Sequence, residues 1–131
     1  MRRVDHLLEE IEPALAAIVT ALRTMSSGRI SAPLTGPIKT RADAGRMLAR
    51  ALVVAAQGIE EAGSQTMPAW RRLPDVPDLV VGDQVNVVAR DLRLAADGFR
   101  GLEVWTPDGR AQLVDVLTDV LATAREVRRL P

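Results

Sequence analysis

The sequence predicts an all-α fold: a single-domain four-helix bundle, most simply in up-down-up-down order. Three observations carry that expectation. Apolar residues recur at helical spacing in four separate segments. The 47% hydrophobic content comes mainly from Ala, Val and Leu, with no Tyr and only Trp70, Phe99 and Trp105 as aromatics. Such small side chains let helices approach closely, whereas sheet cores lean on β-branched and aromatic residues. The chain has 131 residues, a length at which one domain buries roughly two-thirds of its unfolded surface.

The first helix is expected over about 3–26. Val4, Leu8, Ile11, Leu15, Ile18, Leu22 and Met25 advance in steps of four and three, the stripe of a helix packed in a bundle. Pro13 lies inside that stripe without changing its phase, so one kinked helix is expected instead of two. The stretch "SSGRISAPLTGP" at 26–37 concentrates Gly, Pro and Ser and reads as a loop.

The second helix is expected over 39–62, with Gly45, Leu48, Leu52, Ala55, Ile59 and Ala62 on its stripe and Met47, Ala51 and Val54 widening it. So broad a face of small residues suggests contact with two neighbours. Gly63 suits a C-cap. From Ser64 to Asp78 helical periodicity disappears, and the span is longer than the roughly 2–8 residues usual between bundle helices. It contains Pro68, Pro74 and Pro77, and prolines reduce the entropy cost of ordering a long loop.

The third helix is expected over 82–100, with Val81, Val85, Val88, Leu92, Ala95 and Phe99 inward. Asp83, Asn86, Arg90, Arg93 and Asp97 fall on the opposite side. The fourth is expected over 107–130, opened by Thr106 as cap, Pro107 at the first position and Asp108 in the first turn. Leu113, Leu117, Val120, Ala124 and Val127 form its stripe.

Seventeen basic and seventeen acidic residues cancel, and no basic tract exists. Neither nucleic acid nor an anionic membrane is therefore an expected partner. Every basic residue but Lys39 is arginine, a usage expected of a GC-rich bacterial genome. Asp5, Glu9, Glu10 and Glu12 stand where a signal peptide would be apolar. The longest apolar run, "ALVVAA" at 51–56, falls far short of the roughly 18 residues a membrane span needs. A soluble cytoplasmic protein is the expectation.

Several chemistries lack their residues. With one His and no Cys, a His-rich or Cys-rich metal site within the chain is excluded. There is no glycine-rich phosphate loop and no nucleophile elbow. Asp5, Glu9 and Glu12 share a helix face but read as solvated acids. No catalytic residue, metal ligand or cofactor is expected.

Two clusters remain. Gln84 and Asp91, seven residues apart and flanking the third stripe, could form an interior polar site with Arg46 and Arg50 of the second helix. Trp70, Arg71 and Arg72 form a candidate partner surface, because Trp and Arg dominate binding energetics at interfaces. In an alternating bundle Trp70 and Trp105 would close opposite ends of the core. The function expected is a non-catalytic protein–protein interaction or regulatory module, self-associating as a homo-oligomer, with a homodimer the simplest case. The alternative is a small-molecule-binding bundle or small enzyme using the interior polar site.

Overall fold

The computed structural model describes residues 2–131. It is mostly helical. Four long helices, α1 (Arg2–Thr24), α3 (Arg41–Glu60), α4 (Val81–Ala96) and α5 (Leu113–Arg128), are joined by a one-turn helix α2 (Ser27–Ile30) and a hairpin of β1 (Glu103–Thr106) and β2 (Gly109–Gln112). A 3₁₀ turn, Asp78–Val80, leads into α4.

The long helices form where the stripes lie, and their boundaries follow local chemistry; α2 is an addition, a single turn capped by Ser26 within the stretch expected to be a loop. α1 runs unbroken through Pro13 and buries Val4, Ile11, Leu15, Ile18 and Leu22. α3 starts behind Thr40, whose Oγ1 accepts from the Asp43 amide at 3.0 Å and satisfies one orphan donor of the first turn. α4 ends at Ala96, so Phe99 lies beyond the helix and is half-buried.

Residues 103–112 differ from expectation. Thr106, Pro107 and Asp108 do not open α5; they turn a hairpin. Pro107 and Asp108 link Thr106 to its register partner Gly109, whose φ of 117° is open to glycine alone without strain. The Thr106 Oγ1 donates to the Gly109 carbonyl and accepts from the Asp108 amide. Cap, Pro and acid read equally as a helix start or a turn, and Gly109 supplies the positive-φ residue that the turn requires.

Chain direction is the second correction. The start of α4 at Gly82 lies against Leu22 and Arg23 near the end of α1, while Glu12 pairs with Arg93, so α1 and α4 are antiparallel. The start of α3, at Gly45, lies against Val81, the first residue of α4. The end of α3, at Gly58, meets Trp105 in the hairpin that follows α4. Thus α3 and α4 run parallel. The Pro131 carbonyl accepts from Arg41 at the start of α3, so α5 is antiparallel to α3. The order is up-down-down-up, not alternating. α1 and α3 occupy one diagonal, each lying against α4 and α5.

A parallel pair demands a connection as long as the helix itself. Residues 61–80 provide it, as an extended strap running back along α3. Ala69 and Arg71 bond Gln57 near the end of α3, and Val76 and Asp78 bond Arg46 near its start. Seven residues of polyproline-like chain at about 3.1 Å each cover a distance comparable to eleven helical residues at about 1.5 Å. This is why the connection is long and proline-bearing.

One continuous apolar cluster fills the bundle. Its ends are closed by Ile30 of α2 and Val104 of β1, both with 0% exposure, and not by the tryptophans. Trp70 and Trp105 are half-buried, and both lie toward the α3 C-terminal end. An indole carries an N–H that needs an acceptor, which makes an aliphatic side chain the better plug.

At Gly58 a Cβ would collide with the Trp105 carbonyl, a backbone atom that cannot swing aside. Gly58→Ala should therefore push β1 off α3 and lower stability by about 1–3 kcal/mol. Urea unfolding of the variant checks this; an unchanged midpoint would contradict the close packing of β1 on α3.

Candidate functional site

The strap lies over one side of α3 and leaves beside it a groove of about 470 Å³. Arg46 and Arg50 line it from α3, one turn apart. Arg71 and Arg72 line it from the strap, with Val53, Leu73 and Pro74 among the apolar wall. Gln84 reaches it from α4, its Nε2 donating to the Pro74 carbonyl at 2.9 Å.

Two polar nodes hold the strap in place. Gln57 is the one polar residue among the fully buried side chains of the described residues, at 3% exposure. Its Nε2 donates to the Ala69 carbonyl at 2.8 Å and to Glu61, and its Oε1 accepts from the Arg71 amide at 2.8 Å. The side-chain amide thus pairs with the strap backbone as a neighbouring strand would. At the other end Arg46 donates to the Val76 carbonyl and to Asp78 at 2.7 Å, and pairs with Asp43 at 3.1 Å. Asp78 also accepts from the Ser31 hydroxyl, which ties α2 to the same point.

The electrostatics follow. Asp78 is held below its ordinary pKa, first by the Ser31 hydroxyl and then by the Arg46 guanidinium, with burial opposing. Arg46 is raised above its usual value, chiefly by the hydrogen bond to Asp78, against the cost of burial.

At the hairpin, the Trp105 Nε1 donates to the Ser64 carbonyl at 3.0 Å. Arg110 stacks 4.3 Å over the Trp105 ring and donates to the Ala62 and Ser64 carbonyls. A cation at the C-terminal end of α3 meets the negative end of its dipole and satisfies carbonyls beyond the helix. Arg110 therefore anchors the hairpin.

The residues singled out by sequence are placed as follows. Gln84, Asp91, Arg46 and Arg50 do not meet inside the bundle. Asp91 is exposed on the outer side of α4, and Arg50 is exposed. The reason is helical phase: Val85, Val88 and Leu92 occupy the inward stripe and carry Asp91 out with the opposite face. Arg46, Arg50 and Gln84 do converge, together with Arg71 and Arg72, at the surface groove. Trp70 is half-buried, with its indole N–H shielded from solvent and without a protein acceptor. Arg71 pairs with Glu60 at 2.8 Å.

Sequence reasoning missed Gln57 and the outer face of α4. The signal for Gln57 was a lone amide inside "ALVVAAQGI", a polar residue on an apolar helix face. The signal on α4 was a seven-residue repeat of Val80, Val87 and Leu94 outside the inward stripe; all three are exposed, Val87 at 57% and Leu94 at 65%. Leu79, in the 3₁₀ turn before α4, is exposed as well, and so is Leu102 directly ahead of β1. Beside this face an apolar groove of about 460 Å³ runs between α1 and α4, lined by Leu8, Ile11, Leu15 and Leu94 and edged by Glu12 and Arg93.

Among the described residues no helix is long and apolar enough to cross a membrane. Among the described residues no group of three or more His, Cys, Asp or Glu could hold a metal ion. No family model, curated protein or solved structure is significantly similar to this chain.

Gln57→Ala strands the Ala69 carbonyl and the Arg71 amide, so a loss of about 1–3 kcal/mol is expected. Urea unfolding gives the loss, and hydrogen exchange at the Arg71 amide should accelerate; an unaltered exchange rate would contradict the clamp. Because the Asp78 pKa is lowered on folding, its contribution is complete above the ordinary carboxylate range and vanishes as pH falls through the lowered value. Asp78→Asn should flatten the acid limb of a stability–pH curve, by less than about 1 kcal/mol because the side chain is a third exposed and screened.

Proposed function

We propose that this chain is a non-catalytic interaction module that self-associates through the outer face of α4. The observation that carries the reading is the exposed apolar line Val80, Val87 and Leu94. Four of the six large apolar side chains exposed among the described residues, Leu79, Val80, Val87 and Leu94, lie on α4 or in the turn that leads into it. Apolar exposure gathered on one element marks an interaction site, whereas single scattered residues need no explanation.

The charges beside the line favour a second copy as the partner. On a helical projection Arg90 and Asp91 flank the Val87–Leu94 line, one on each side. When two α4 helices pack side by side about a two-fold axis parallel to them, Val87 meets Val87 and Leu94 meets Leu94 of the second copy. Arg90 of each copy then lies beside Asp91 of the other, as flanking charges do in a parallel coiled coil. An antiparallel pairing would set Arg90 against Arg90 and Asp91 against Asp91. Charge therefore selects the parallel arrangement. A heterologous protein partner of the same chain would use the same face.

Mass in solution, measured by light scattering across a concentration series, tests this. A concentration-dependent dimer is expected, shifted to monomer by Leu94→Asp. Arg90→Asp alone should weaken it, and Arg90→Asp with Asp91→Arg should restore it. A chain that is monomeric throughout, or a dimer indifferent to Leu94→Asp, overturns the reading.

A further inference from the structure

We infer that the groove between the strap and α3 is a binding site for a small multiply charged oxyanion bearing phosphate or carboxylate groups. This inference is independent of association through α4, since the groove is built from α3, the strap and Gln84.

Four arginines, Arg46, Arg50, Arg71 and Arg72, line one groove; Asp75 is the one carboxylate in its lining, while Asp43, Asp78 and Glu60 pair with Arg46 and Arg71 beside it. The chain as a whole carries no net charge, so this concentration is local and not a reflection of a basic protein. Two of the four are already positioned. Arg46 is held by Asp43 and Asp78 at one end, and Arg71 by Glu60 at the other. Their rotamers are set before any ligand arrives, which lowers the entropy cost of binding.

The side chains of the other two, Arg50 and Arg72, have no hydrogen bond or ion pair with any described residue. Arg50 stands one turn from Arg46, a like-charge spacing that costs a helix a few tenths of a kcal/mol. Arg72 follows Arg71 directly, and the extended strap brings this pair to the same groove as the two on α3. Such repulsion is relieved when an anion bridges the walls. Planar guanidinium groups suit carboxylate and phosphate oxygens because two parallel N–H donors match two oxygens.

The size and lining narrow the ligand. A groove of about 470 Å³ lies within the range of roughly 300–1,000 Å³ typical of small-molecule sites. Val53, Val54, Leu73 and Pro74 provide apolar surface beside the cations. A metabolite-sized anion with charge on one side and carbon on the other fits; a long polyanion would find no continuing basic track on a neutral chain.

Isothermal titration calorimetry of the full chain with pyrophosphate and, separately, with citrate at low ionic strength tests the site. Saturable binding of at least one is expected, and a preference between them assigns phosphate or polycarboxylate chemistry. Arg50→Ala with Arg72→Ala should weaken binding about tenfold or more, since two charge-assisted contacts are lost. Arg128→Ala with Arg129→Ala, removing two exposed charges at the end of α5, should leave it intact. Both double variants should melt as the parent does. The inference is overturned if neither anion saturates, if the Arg50/Arg72 variant binds as the parent does, or if the Arg128/Arg129 variant loses binding equally. The solution mass, followed alongside, separates this result from dimer formation through α4.

Discussion

The parallel course of α3 and α4 is the constraint on which the rest of this structure depends. A helix of 20 residues carries the chain about 30 Å, so a second helix starting at the same end can begin only after the chain has returned. The strap makes that return, and it makes it in contact with α3. Its backbone lies too close to the bundle for water to satisfy all its polar groups, and those groups need partners. Gln57, Arg46 and Gln84 supply them. The buried glutamine, the Arg46–Asp78 node and the proline content are thus consequences of one topological fact.

The same fact shapes the two ends. With α1 and α3 on one diagonal, the segment between them must cross the bundle end, and α2 uses that crossing to bury Ile30. The connection from α4 to α5 crosses the other end as a hairpin that buries Val104 and brings Arg110 over the last carbonyls of α3. α3 consequently touches α4, α5 and β1 and carries the strap, and it buries residues around most of its circumference.

α4 receives no such cover. Its inward stripe faces α1 and α3, and Val87 and Leu94 stay exposed on its outer side. The strap that wraps α3 also opens a cleft against it, walled by arginines from both. The two surface features proposed as binding surfaces, a bare apolar line and an arginine-lined groove, are therefore what this path of the chain leaves unfilled. They lie on separate faces and use separate residues, Gln84 alone reaching the groove from α4.

Helical stripes were legible because packing at 3.6-residue spacing is a local property. α1, α3 and α4 lie within a few residues of the ranges their periodicity predicts. The hairpin was half legible. Pro107-Asp108-Gly109 is a turn signal in its own right, but Thr106-Pro107-Asp108 also fits a helix start, and short-range sequence does not arbitrate between them. The choice falls to Gly58, whose missing side chain lets β1 lie on α3. Likewise Arg46, Arg50 and Gln84 were recognisable as polar residues near apolar stripes, but their meeting with Arg71 and Arg72 was not. By itself the sequence determined the mostly helical class, the course of the four long helices apart from the start of α5, and the length of the strap, because composition and periodicity act along the chain. Chain direction, the sharing of one groove by α3 and the strap, and the exposure of the α4 line were decided by tertiary structure alone. These depend on which end of each helix meets which, and spacing along a sequence carries no record of that.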